Sequence, residues 1–594
     1  MNAKRWLVVI VVALASLSVL GSQQGPADGV RANLKLVFEV RDRIHCDYVE
    51  EVDSLKVIDG AVDGLAAALP EGENLYISPR EMAEVGRPAP AERLDDRGQV
   101  ALLAEAFRRI SQAYVRSVGA DTLARGMVEG MLSSLDPHSS YLDPSEREEL
   151  VERFRGDFEG IGIYFEIRQG RLMVISPIVG SPSDGKLRAG DEIVEIEGVP
   201  TDGITNEQVM KKLRGPKGSS VRVTVARQGR DAPLEVTIRR DRIEVRSVPY
   251  AFMLAPEVGY VRIARFAETT AQELGEDLAR LRSEGARRLL LDLRDNGGGL
   301  LDQAVEVADF FLDANELVVY TQGRAARSRQ EYRDTTPLES PPLSVIVVID
   351  HGSASASEIV AGAIQDQDRG LVVGQTSFGK GLVQEQYPLT SNGGLLLLTV
   401  ARYYTPVGRL IQRPFTGDLQ AYVHQGVDSL DPNAVDSLRA AGAVFHTTLG
   451  RPVHGAGGIT PDISLPDAVY SEFEQRVFAE GALADFCSQA VGKGQVTATN
   501  FAAYAATWQV PDSLLAAFGR ALAARGVAVG PDAMAAHRAF LQTQLKAGFA
   551  RVLWNDQAAY QISLQGDAQI QAAARLFGRA DELQAARAQA TSKR

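Results

Sequence analysis

The sequence predicts a multidomain α/β protein, with an alternating strand-and-helix core that carries a small β-rich domain and helical regions at both ends. Three observations carry this reading. From Val258 onward, apolar strand segments (GYVRIARF, RLLLDLRD, SVIVVID, GLVVGQ) alternate with helical segments near 270–283, 301–312 and 355–365, the order of a sheet with buried strands. From Phe154 to about Arg242 the pattern is one of short alternating strands with glycine turns, including IGIYFEI, RLMVISPI, GDEIVEIEG and SSVRVTVARQG. After Pro461 and Asp462 the composition turns Ala-rich and helical to the end of the chain.

Length and punctuation set the boundaries. A chain of 594 residues exceeds a single hydrophobic core. We divide it into a leader at 1–22, a helical region at 30–153, the β-rich domain at 154–243, the core at 244–466 with an insertion at 414–450, and a helical C-terminal region at 467–594. Lys4 and Arg5 precede an apolar run at 6–20, the charge order of a secretory signal, with an uncleaved N-terminal membrane anchor as the alternative. Either predicts export. In the helical region, Tyr48, Gly60, Gly64 and Leu69 return 66 positions later as Tyr114, Gly126, Gly130 and Leu135, which suggests an internal duplication (30–85 and 101–150) or two unrelated amphipathic helix pairs. The one helix expected in the β-rich domain is 206–213, with Thr205 as its N-cap and Gly215 just beyond its end.

Charge and cysteine usage exclude several classes. The net charge of −13 and the lack of a basic run argue against nucleic acid. The two cysteines, Cys46 and Cys487, lie far apart without metal-ligand spacing, so neither a zinc site nor a disulfide is expected and each reads as a core thiol.

Three segments could carry chemistry. In SVIVVIDHGSASASEIVAGAIQDQ a buried strand ends at Asp350, a glycine turn follows, and a helix starts among three serines. Ser355 there meets free amides and the positive end of a helix dipole, a suitable place for a nucleophile and an oxyanion. Ser355 and Glu358 equally fit a capping box. His351 is a poor base for this serine because the chain must turn at Gly352 between them. The second segment, GQTSFGKGLVQEQY, offers Lys380, which in extended chain shares a face with Gln384. A lysine acts as a base only when neutral, which requires a pKa depressed by roughly 3 units at a cost of about 4 kcal/mol, and a surface lysine is the alternative. Gly374, Gly379 and Lys380 also approach a phosphate-binding loop, but Gly381 stands where Ser or Thr would hold magnesium and a strand follows where a helix is required. Third, LLLDLRDNGGGL runs a strand into Gly297, Gly298 and Gly299, whose amides can approach a ligand closely or form a plain tight turn.

Together with LSSLDPHSSYLDP, FEGIGI, LRGPKGS and the closing GGITPDI, these segments resemble, in order, the carboxy-terminal processing (tail-specific) proteases, Ser/Lys peptidases with an embedded PDZ domain. The resemblance spans about 101–463. It implies a crotonase/ClpP-like αβ serine protease core with an inserted PDZ domain, and no metal or cofactor. It places the nucleophile on Ser355, the general base on Lys380, the residue orienting that base on Gln384, and the oxyanion-hole amides on Gly298 and Ala356, with Gly299 as the second choice. Asn296 and Gly297 stand where the family has asparagine and proline. The carboxylate-binding loop falls on Gly160, Ile161, Gly162 and Ile163, and a substrate tail would add as a strand beside 163–167, opposite the helix at Val209. Arg214 matches a residue at the contact between PDZ domain and protease, a candidate regulator. The implied substrates are exported proteins with accessible apolar C-terminal tails, in the periplasm or at the inner membrane facing it. The helical ends are expected to serve a homodimer or an adaptor. A catalytically inactive peptide-binding adaptor and a crotonase-like acyl-CoA hydrolase are the rival functions.

Overall fold

The computed structural model describes residues 27–69, 103–108, 110, 118–415, 422 and 443–592, apart from positions 169, 179, 189, 228, 229, 231, 456, 468 and 480. The leader, the Pro-rich linker at 86–90 and most of the 414–450 insertion lie outside these residues.

The chain folds as a multidomain α/β protein. Its center is a six-stranded sheet in the order Tyr250–Ala255, Val258–Arg262, Arg288–Asp292, Ser344–Ile349, Gly370–Gly374, Ile463–Ser464. The first two strands form an antiparallel hairpin, and every later pairing is parallel. Alternate side chains serve opposite faces, as the two-residue period of a strand requires. Leu289, Leu291, Val345 and Val347 pack under the helices Thr270–Ser283, Leu301–Asp309 and Ala356–Asp366. Leu290, Ile346 and Val348 pack on the other face against Ile570, Ala573 and Phe577 of the C-terminal helices. Both faces are therefore covered, which explains the unbroken apolar runs of the sequence.

A second sheet is built on the long strand Leu395–Tyr404, which pairs with Ser140–Leu142, Leu317–Gln322 and Leu382–Pro388. The N-terminal helices cover it, Leu396, Leu398 and Val400 joining their core. Helices Ser54–Ala67 and Ala120–Ser133 meet through the repeated glycines. A Cβ on Gly60 would lie 2.5 Å from the Gly130 carbonyl oxygen, and one on Gly126 would lie 2.6 Å from that of Gly64. The contact is reciprocal, the earlier glycine of each helix facing the later glycine of the other, as across a two-fold axis.

The β-rich domain is a twisted antiparallel sheet in the order Ile163–Arg168, Arg171–Pro177, Glu192–Ile196, Ser220–Ala226, Leu234–Arg239, closed by the helix Asn206–Leu213. Thr205 caps that helix in a capping box with Gln208. The domain leaves and rejoins the rest of the chain through one ribbon, Asp157–Gly160 paired with Asp241–Glu244. Its outward strand face meets the C-terminal helices, where Arg168 Nη1 donates to the Gly481 carbonyl and Ser176 Oγ lies 3.4 Å from Asp556 Oδ2.

One expectation is corrected. Cys487 is buried, but Cys46 is exposed near the end of the helix Ala27–Asp47. Its neighbors Ile44, Asp47 and Tyr48 supply the buried face there, and the helical period turns position 46 to solvent.

Candidate active site

The strand Ser344–Ile349 lies inside the central sheet and ends in a turn that delivers Ser355 to the first turn of the helix Ala356–Asp366. Two bonds pin the turn to the neighboring glycine loop. Asp350 Oδ1 accepts from the Asp295 amide at 2.9 Å, and Ser353 Oγ donates to the Leu293 carbonyl at 2.8 Å. Ser355 itself adopts φ 56° and ψ −113°, a region non-glycine residues rarely enter. Such strain persists only where the surroundings impose it, and it is characteristic of nucleophiles held on a strand-to-helix turn.

The glycine loop lies directly against this turn. Gly298 has φ 97°, and a Cβ there would sit 2.8 Å from Ser355 Cβ and 3.0 Å from the Ala356 amide nitrogen. No intrahelical carbonyl can reach the Ala356 amide, the first of its helix. Asn296, fully buried, organizes the loop. Its Nδ2 donates to the Ile263 carbonyl, and its own carbonyl accepts from the Ala354 amide and from Ser357 Oγ. Its Oδ1 accepts from the Gly298 amide at 2.9 Å, so in this conformation that amide is already engaged.

Lys380 arrives from the other side, in the loop between the strands Gly370–Gly374 and Leu382–Pro388. Glu358, buried in the first turn of the serine helix, holds the two segments together. Its Oε2 accepts from the Ser355 amide at 2.7 Å and from the Lys380 amide at 2.9 Å, so the two nitrogens are no farther apart than those distances added together. Its Oε1 accepts from Ser377 Oγ at 2.5 Å and the Gly379 amide at 2.7 Å. Burial raises the carboxyl pKa to about 7 against these four donors. A further bridge is the buried Tyr403 hydroxyl, 3.1 Å from the Ser355 carbonyl and in contact with that of Lys380.

Lys380 Nζ donates to Gln384 Oε1 at 2.8 Å, and Gln384 Nε2 donates to the His138 carbonyl at 2.7 Å. Lys380 lies in the loop before the strand, and a register shift in the pairing of that strand falls between Val383 and Gln384. Burial lowers the lysine pKa, opposed by the nearby carboxylates of Asp136 and Glu358. The structure thus brings Ser355, Ala356, Gly298, Lys380 and Gln384 into one site. The sequence reading missed Glu358 as more than a cap, Tyr403, and the Asp136–His138 turn. The DPHSS motif was a signal for the last, but its partner in the site, Gln384, is 246 residues from His138.

In the β-rich domain, Gly160 ends the connecting ribbon and Gly162, at φ 76°, turns the chain into the edge strand Ile163–Arg168, which among the described residues pairs on one side, with Arg171–Pro177. A side chain on Gly162 would collide with Ser181. Ile161 and Val209 are buried in the domain's own apolar core. Arg214 is turned to the helix Pro144–Arg155, where it pairs with Glu152 Oε2 at 2.5 Å and lies over the Phe158 ring at 4.9 Å. Among the described residues, no cluster of three or more His, Cys, Asp or Glu could hold a metal ion, and no helix is long and apolar enough to cross a membrane.

A strained serine turn, a desolvated lysine and a glycine loop on an α/β sheet define a serine hydrolase class, and comparison with known proteins narrows it. Residues 257–421 match Peptidase family S41, residues 151–226 the PDZ domain, and residues 78–146 the activating protease CtpB N-terminal domain. The chain is 39% identical over 319 residues to a carboxy-terminal-processing protease of Bartonella bacilliformis, covering 53% of this chain and 73% of that one. It is 32% identical over 320 residues to the carboxy-terminal processing protease CtpA of Bacillus subtilis, covering 52% of this chain and 66% of that one. Among solved structures it is similar to a photosystem II D1 C-terminal processing protease, at 22% identity over 73% of this chain and 92% of that one, with a TM-score of 0.35, too low to bear on the fold. This chain belongs to the carboxy-terminal processing serine proteases of peptidase family S41 and carries their PDZ domain.

Proposed function

We propose that the protein is a serine endopeptidase that cuts exported proteins near their C-termini, with Ser355 as nucleophile and Lys380 as general base. The observation that carries this reading is the sharing of one buried carboxylate oxygen, Glu358 Oε2, by the Ser355 and Lys380 amides. Neutral Lys380 takes the proton from Ser355 Oγ as that oxygen bonds the scissile carbonyl carbon. The oxyanion is received by the Ala356 amide and by the glycine loop, at Gly298 once its amide leaves Asn296 Oδ1, or at Gly299. The C–N bond then breaks with the proton passing to the leaving amine, and water releases the acyl group from Ser355. Gln384 orients the lysine. The PDZ domain receives the free tail at the amides around Gly160–Ile163 and along the open edge of the strand Ile163–Arg168, and Arg214 reports on its occupancy. The charge order of the leader supports the periplasm, or the membrane facing it, as the location of this chemistry.

The test is cleavage of a reporter protein that ends in an apolar tail. The wild type shortens the reporter, and Ser355→Ala and Lys380→Ala each lower turnover by at least about a thousandfold while still binding a tail peptide. A wild-type protein that binds tails and cleaves nothing would instead be an adaptor. Retained turnover in Lys380→Ala would remove the lysine from the mechanism.

A further inference from the structure

Tyr422, a residue of the 414–450 insertion, closes a ring of hydrogen bonds around the Lys380 loop. Its phenol oxygen accepts from Gln412 Nε2 at 3.1 Å and lies 3.0 Å from His138 Nε2. Gln412 Oε1 in turn accepts from the Gly381 amide at 2.8 Å, the residue directly after the lysine. On the other side, the His138 carbonyl receives Gln384 Nε2, and Gln384 Oε1 receives Lys380 Nζ. One hydroxyl is therefore tied both to the chain that carries Lys380 and to the amide that holds its amine. Tyr422 is only 4% exposed, its ring meets that of Phe378 edge to face at 5.8 Å, and the Arg413 guanidinium lies 4.5 and 4.4 Å from the two ring centers. Arg413 Nη2 also donates to the Tyr422 carbonyl at 2.6 Å, so both backbone and side chain of this residue are fixed.

We infer that Tyr422 is a positioning residue for the Lys380 base, acting through His138 and Gln384; the inference rests on the reading of Lys380 as that base. With Gln412 as donor to the phenol oxygen, the hydroxyl's own hydrogen is assigned to His138 Nε2, the pairing that a neutral imidazole with its proton on Nδ1 accepts. The groups facing His138 are Lys380, Arg413, Asp136 and Tyr422. Burial and the charges of Lys380 and Arg413 hold the imidazole pKa down to about 4 against Asp136. An imidazole held in one place fixes the carbonyl of the same residue, and that carbonyl decides which end of the Gln384 amide faces the lysine. With one N–H committed to Gln384 Oε1, the neutral amine no longer rotates freely, and its lone pair keeps a set direction.

Full-length Tyr422→Phe keeps the ring and removes the hydroxyl. On the tailed reporter we expect kcat to fall about tenfold, with KM within about twofold of wild type. The ascending limb of the kcat–pH profile moves to lower pH, because a loosened Gln384 stabilizes the charged amine less. The His138 titration, followed by NMR on histidine-labeled protein, rises from about 4 toward the ordinary imidazole range. Gln412→Met, which leaves the phenol but removes the bond that aims its hydrogen, shifts both curves the same way by less. An unchanged kcat in Tyr422→Phe overturns the inference. So does a reduced kcat with both titrations unmoved, which would mark packing alone. Wild-type turnover in Lys380→Ala would overturn the underlying reading first, whatever the tyrosine variants do.

Discussion

Lys380 shows at the level of one residue how catalytic fitness opposes stability. Its amine lies largely away from water with an amide oxygen as its hydrogen-bond partner, and burial depresses its pKa. The sign follows directly. A lysine whose folded pKa lies below its unfolded value favors the folded state most when neutral, and that advantage is lost as pH falls from the unfolded pKa through the folded one. At neutral pH the wild type therefore carries a penalty for this side chain, and Lys380→Met should melt higher, gaining about 1 kcal/mol, while losing turnover. A calorimetric scan beside a reporter assay checks both, and a lower melting temperature would mean that the bond to Gln384 outweighs the desolvation. In the wild type, turnover should rise with pH through the depressed lysine pKa and then level off. A profile that instead disappears in His351→Ala would assign the base to the imidazole.

Among elements, the glycine-lined helix pair at the N-terminus has the tightest tolerance. Ser54–Ala67 and Ala120–Ser133 approach until backbone meets backbone, and a Cβ at Gly126 would also lie 2.7 Å from Ala68 Cβ. Because neither contact is the end of a flexible side chain, relief requires moving a whole helix. Gly126→Val should cost about 2–3 kcal/mol and lower the melting temperature measurably. The effect reaches the site as well, since the same helices cover the strand Leu395–Tyr404, on which the Gln384 strand is paired. A neutral Gly126→Val variant would show that the helices can slide apart freely. Element boundaries were legible in the sequence where capping chemistry is local, as at Thr205 and Gln208. The helix Leu301–Asp309 is shorter than the 301–312 its apolar pattern suggested, because Phe311 and Leu312 are buried in the core after the helix has ended.

The whole molecule is braced by its C-terminal helices, a region to which the sequence assigned no chemistry. Arg294, two residues before Asn296, donates to Asp292 at 2.7 Å, to Asp567 at 2.9 Å and to Gln569 at 2.9 Å. Asp292 is buried and also takes the Tyr260 hydroxyl, which meets that of Tyr560 at 2.8 Å. The helix bearing Tyr560 starts at Asp556, which faces Ser176 of the β-rich domain. The root of the glycine loop is thus fixed from outside the matched family region. Asp567→Ala should lower kcat two- to fivefold, on the order of 1 kcal/mol, through a looser Arg294, with tail-peptide affinity unchanged. Equal loss of affinity and turnover would point to general unfolding of the brace.

What the sequence determined by itself was local or periodic: the α/β order, the capped helix, the serine turn, the glycine loop, and the family whose motifs occur in order. These depend on neighbors within a few residues, so one-dimensional spacing suffices to read them. Only the tertiary structure decided that Glu358 ties the serine to a loop 22 residues on, that His138 holds Gln384 from 246 residues away, and that the Gly298 amide is engaged by Asn296. Such bonds follow from how sheets and loops pack, and the separation along the chain carries no trace of them.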